Sequence, residues 1–260
     1  MMFTARKKDY VEGEGPIRYL DGSSLARPIN MPRPQLAVMG VFVIAAAIIG
    51  GVFLTNVLDN VLHAAERAQA SVEQNLARPA SYENLPPMAM LMALDDETIK
   101  QNLTDAGYTI YDMTSAEEYP AGGFEVIKLP DDVSIEQAAL LYAQGIPSLS
   151  APDAALVLNG SWRMAMDRTS GANLSVKYAD FKSGSVEAAV QAALAAEGLD
   201  ATVLGESGVD EAGNTFQAGT VDADDTTYSW KVSAIPLTSM YDISGLPDTA
   251  VYVGIRMTSE

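Results

Sequence analysis

The stretch LAVMGVFVIAAAIIGGVFL, residues 36–54, contains no charged side chain. An α-helix of that length rises about 28 Å, close to the roughly 30 Å hydrocarbon core of a bilayer. The uncharged run extends from Pro34 to Leu58, between Arg33 and Asp59. A signal peptide has a shorter apolar region, about 7–15 residues, and usually a short basic start. The segment therefore reads as a retained transmembrane helix over residues 36–58. A leader cleaved near the small residues of LHAAERA is the alternative, and a buried soluble helix is the third reading.

The flanks orient the span. Arg18, Arg27 and Arg33 precede it, while Arg67 and Arg78 follow it. Excess positive charge favours the cytoplasmic side. The expectation is a single-pass protein of the plasma membrane, with a cytoplasmic N-terminus and an extracytoplasmic C-terminal region. The reverse topology is the alternative. Inside the span, Ala46 with Gly50 and Ala47 with Gly51 form small-xxx-small pairs. Such a face lets a second helix approach closely in lipid, so self-association or a membrane-helix partner is expected there.

Charge restricts the partners. The chain carries −18 overall, and it is unevenly spread. Residues 1–35 hold six Lys/Arg and four acids; residues 59–260 hold ten Lys/Arg and thirty acids, so 10 − 30 leaves the latter near −20. That surface repels nucleic acid, which is not expected as a partner. The chain has no cysteine, which removes disulfides, thiol nucleophiles and thiolate metal sites. Its one histidine, His63, falls next to the membrane segment, and one histidine without cysteine makes no standard zinc site. No cofactor and no metal are expected.

Residues 1–35 lack sustained periodicity and read as a flexible cytoplasmic tail. Beyond the span, apolar residues recur at three- and four-residue steps through Leu58, Val61 or Leu62, Ala65, Ala68, Val72 and Leu76, which predicts a helical stalk over 59–78. Its narrow stripe suits either a weak coiled coil or packing on the following domain. PASYENLPP, residues 79–87, is a Pro-rich hinge.

From residue 88 onward the pattern changes between helix and strand. Asp95 caps a helix carrying Ile99 and Leu103 that ends at Gly107. YTIYDM (108–113) and FEVIKL (124–129) read as strands. Ser134 with Gln137 forms a capping box for a helix ending before Gly145. IPSLSAPD (146–153) suggests a boundary between a first subdomain, 88–149, and a second, 150–260. SWRMAMDR and LSVKYADF flank TSGAN as a hairpin, with Trp162, Met164 and Met166 on one face and Leu174, Val176 and Tyr178 on one face of its partner. A helix over 186–197 precedes the strands ATVLGE, NTFQAGTV, TTYSWKVSA and AVYVGIRM, joined through the turn-rich SGVDEAG and DADD. The fold class is α+β: mixed, mostly antiparallel sheet or sheets with helices packed on one face.

Catalytic constellations are scarce. Gly205-Glu-Ser207-Gly208 does not meet the G-x-S-x-G pattern, and no S-x-x-K, phosphate loop or G-x-G-x-x-G follows a strand. Asp222, Asp224 and Asp225 could hold calcium, but Asp is also a preferred turn residue. Trp162, Tyr178, Tyr228, Trp230 and Tyr252 lie on predicted strands, where aromatics usually build core and can also stack on sugars. Asn102, Asn159 and Asn173 sit in glycosylation acceptor sequences. No catalytic residue is assigned. The leading expectation is a non-catalytic interaction or scaffold subunit of a cell-envelope assembly. A carboxylate-dependent enzyme acting on cell wall or polysaccharide, and a ligand-binding sensor ectodomain, are the alternatives.

Overall fold

The computed structural model describes residues 61–79, 82, 85–199 and 203–259. The expected membrane helix over 36–58, its face of Ala46, Ala47, Gly50 and Gly51, and the tail lie outside the described residues. Among the described residues no helix is long and apolar enough to cross a membrane. Residues 63–260 form one compact unit.

Helix α1 (Ala64–Leu76) opens that unit. Two helices follow, α2 (Met88–Met92) and α3 (Asp96–Asp105), then strands β1 (Ile110–Asp112) and β2 (Gly123–Lys128). Helices α4 (Ile135–Gln144) and α5 (Ala151–Leu158) precede the hairpin β3 (Trp162–Asp167) and β4 (Asn173–Asp180). Helix α6 (Val186–Ala196), strands β5 (Val203–Val209), β6 (Thr215–Ala223) and β7 (Thr226–Pro236), the short α7 (Leu237–Met240) and β8 (Val251–Ser259) complete it. The strands make one sheet in the order β1-β2-β3-β4-β8-β7-β6-β5. Every pairing is antiparallel. β2 and β3, which flank the expected boundary at 149–150, are neighbours in that sheet.

Local chemistry explains the element ends. The Asp95 carboxylate accepts from the Thr98 backbone N–H at 3.0 Å and Ser134 Oγ from Gln137 N–H at 3.2 Å, so α3 and α4 start where their caps are. SGVDEAG departs from its sequence reading. β5 runs through Ser207 to Val209, and the turn begins at Asp210, whose carboxylate accepts from the backbone N–H groups of Ala212 and Asn214. That side chain, not the preceding glycine, nucleates the turn. DADD makes a two-residue turn with positive φ at Asp224 (48°) and Asp225 (61°), a left-handed geometry that Asp tolerates.

One sheet face is sealed. Phe124, Val126, Trp162, Met164, Met166, Leu174, Val176, Tyr178, Trp230 and Val253 project into a core closed by Met88, Leu91 and Met92 of α2, Ile99 and Leu103 of α3, and Val190 and Leu194 of α6. The helices do not all lie on that face, as the sequence pattern implied. Ile127, Ala179 and Tyr252 point the other way, and a second apolar layer forms over them. Val72 of α1, Ala138 of α4 and Ala155 and Leu158 of α5 belong to it. The reason is visible at the end of β4, where Tyr178, Ala179 and Asp180 are all buried: alternation breaks, and both faces need cover.

α1 therefore packs on the domain along this stretch. Asn159, buried at 3% exposure, donates through Nδ2 to the Asn75 carbonyl at 3.0 Å and also reaches those of Leu76 and Arg78. It takes up carbonyls that the end of α1 leaves open. Its glycosylation motif is thus buried in a structural role. The strand aromatics Trp162, Tyr178, Tyr228 and Trp230 are core residues facing the sealed side.

Candidate functional site

The second apolar layer covers only one end of its sheet face. Over the rest, strands β2, β3, β4, β8 and β7 present polar side chains to solvent. Register places them in rows: Glu125, Ala165, Ser175, Arg256 and Lys231 in one, and Arg163, Lys177, Gly254 and Ser233 in the next. Two hollows share Asn173, Ser175 and Lys177. One, of about 460 Å³, reaches toward Glu118, Tyr119, Arg163 and Asp167. The other, of about 360 Å³, lies over β4, β8 and β7 against Lys231, Ser233, Gly254 and Arg256.

In the first hollow one cation is paired with one acid. Arg163 Nε lies 3.0 Å from Glu125 Oε1, and the Tyr119 hydroxyl donates to Glu125 Oε2 at 3.5 Å. Burial, then the Glu125 charge, raises the Tyr119 phenol above its ordinary value. Hydrogen bonds from Thr169, its N–H at 2.8 Å among them, hold Asp167 below the usual carboxylate range.

The second hollow is cationic. Arg256 Nε donates to Asn173 Oδ1 at 2.8 Å. Lys231 Nζ lies 3.0 Å from Asp210 Oδ2 and 4.3 Å from the Phe216 ring centroid. Hydrogen bonds from Asn214, then from Lys231, hold Asp210 down at about 2. Lys177 has no ion pair among the described residues. These cations escaped the sequence reading, although each sits at an outward position of a strand whose alternating residues are apolar.

The carboxylate with the largest upward shift is elsewhere. Glu197, just past α6, is 8% exposed and accepts the Met88 N–H at 2.7 Å through Oε2. Burial raises it to about 7 against that hydrogen bond. It lies beneath α2 on the sealed side, without access to either hollow.

The remaining sequence candidates are dispersed. Asp222 accepts from the Thr227 hydroxyl at 2.6 Å, while Asp224 and Asp225 form the exposed turn. Among the described residues no group of three or more acids or histidines could hold a metal ion. Ser207 lies in exposed β5, not on a strand-to-helix elbow. His63 precedes α1, on an exposed surface.

The opposite sheet edge has a different character. All seven residues of β5 are exposed, including Val203, Leu204 and Val209 at 71%, 54% and 67%. β5 pairs with β6 on one side, and among the described residues no strand covers its other side. A bulge at Gly205 interrupts the register, leaving residues 206–209 continuous.

The chain matches no family model, no curated protein and no solved structure.

Proposed function

We propose that this chain is a non-catalytic interaction or scaffold subunit of a cell-envelope assembly. In this reading residues 36–58 anchor it in the plasma membrane, the N-terminus is cytoplasmic, and the unit from residue 63 onward is extracytoplasmic. Ala46, Ala47, Gly50 and Gly51 supply a contact face within the membrane. The observation that carries the reading is the uncovered β5 edge. It offers a row of open backbone donors and acceptors beside exposed Val203, Leu204 and Val209. Soluble proteins usually shorten, charge or cover such an edge, and an extended segment of a partner adds to it as one more strand.

The test is crosslinking in intact cells through a C-terminal tag, with wild type and a Val209→Lys variant. Full-length protein joined to other envelope proteins, with those adducts lost in the variant, supports the reading. Protein found alone, or adducts indifferent to Val209→Lys, overturns the docking edge. A tagged species several kilodaltons short would overturn the anchor.

A further inference from the structure

We propose that the hollow over β4, β8 and β7 is a binding site for a phosphate group. Three cations from three adjacent strands face it: Lys177, Arg256 and Lys231. Asn173, Ser175 and Ser233 add neutral hydrogen-bonding groups, and no carboxylate lines it. Cations also face one another across these strands, with Lys231 paired to Asp210 and Arg163 to Glu125. Arg256 stands directly opposite Lys231, and Lys177 directly opposite Arg163. Like charges directly opposed on one sheet face repel. The chain keeps two such pairs side by side, although residues 59–260 hold only ten Lys/Arg against thirty acids.

The cations are also positioned. Asn173 Oδ1 takes the Arg256 Nε–H, which holds the guanidinium while leaving its two terminal nitrogens for a ligand. Asp210 and the Phe216 ring hold Lys231. Lys177 keeps an ammonium without an ion pair among the described residues. Between them Gly254 contributes no side chain, so the floor stays open: a Cβ there would first meet Ser233 Oγ, at 3.4 Å. Donors arriving from three strands suit a tetrahedral group with three free oxygens better than a carboxylate with two. The acidic surroundings disfavour a long polyanion, whereas a compact group meets only the hollow. This inference is independent of the β5 edge.

The full-length chain, in detergent where its apolar segment requires it, is titrated calorimetrically with inorganic phosphate and, separately, glycerol 3-phosphate at constant ionic strength. Four variants are compared: Lys177→Ala, Arg256→Gln, Gly254→Val and, as a control away from the hollow, Lys182→Ala. Saturable one-to-one binding is expected, weakened about 10-fold or more by each cation variant. Gly254→Val, which changes no charge, abolishes it by filling the floor, and Lys182→Ala leaves it intact. Equal binding of both probes means that the site reads a phosphate displayed on a larger molecule; binding of inorganic phosphate alone means that it holds the free ion. No heat at about 20 mM of either probe overturns the proposal. So does binding that survives Gly254→Val or falls equally in Lys182→Ala. Unchanged unfolding midpoints show that the variants are folded, and one folded variant of the three suffices.

Discussion

Replacing Glu197 with Gln should remove a pH-dependent loss of stability that the fold carries at neutral pH. The carboxyl sits 8% exposed between the end of α6 and the start of α2, where it accepts the Met88 N–H. Burial moves it from 4.5 to about 7. The direction follows from proton counting. Between pH 4.5 and 7 the unfolded chain has released this proton and the folded chain still holds it. Stability therefore falls as pH rises through that window, by about 1.4 kcal/mol per unit and about 3 kcal/mol in all. Gln keeps the oxygen that accepts from Met88 and has no charge to desolvate. Urea unfolding of the full-length chain, followed by Trp162 and Trp230 fluorescence, reads the difference, because both indoles are core residues. Wild type and Glu197→Gln should be similar near pH 4.5, and the variant should be more stable by up to about 3 kcal/mol above pH 7. Taking the difference between the two proteins cancels every other titrating group. A difference that stays constant from pH 4.5 to 8 would refute the argument, as would a variant that loses ground with rising pH.

Other outcomes follow from packing and capping. A Cβ on Gly219 would lie 2.1 Å from the Val203 carbonyl oxygen and 2.7 Å from the Trp230 ring; Gly219→Ala should cost about 1–3 kcal/mol in urea unfolding, and a change within about 0.5 kcal/mol would refute that packing. Asn159→Ala should leave partly buried carbonyls at the end of α1 without this donor, costing about 1–3 kcal/mol and speeding proteolysis near Arg78. Unaltered cleavage there would mean that α1 is held by other contacts. Partial burial pushes Asp112 up, but hydrogen bonds from Lys100 and Thr114 outweigh it and hold the carboxyl at about 2. Its contribution to stability should be complete above pH 3.8 and fade toward pH 2; a carboxyl titration near 4 by NMR would contradict this.

The β3–β4 hairpin was legible in the sequence because both strands alternate cleanly and the turn lies between them. Trp162, Met164 and Met166 do share a buried face, as do Leu174, Val176 and Tyr178. The caps at Asp95 and Ser134 were legible for the same reason: a capping interaction spans three residues. Helix α2 was not, since its five residues, MAMLM, are too few to show a helical period. The cationic hollow was hidden by non-local pairing. β8 enters the sheet between β4 and β7, and only that insertion brings Arg256 beside both Lys177 and Lys231. No local pattern encodes strand order.

One signal for the hollow was nevertheless present. On the outward face of β4, Asn173, Ser175 and Lys177 are polar, and Ala179 is apolar. On β8, Tyr252 is apolar, Gly254 has no side chain, and Arg256 and Thr258 are polar. Read antiparallel, both strands change character at the same level, where Ala179 pairs with Tyr252 and Lys177 with Gly254. A face that turns from apolar to polar partway along neighbouring strands is covered at one end and open at the other. The second apolar layer ends at that level, and the hollow begins there. The position of the candidate site is thus set by where the cover provided by α1, α4 and α5 stops, and its charge by the few cations the chain places beyond that line.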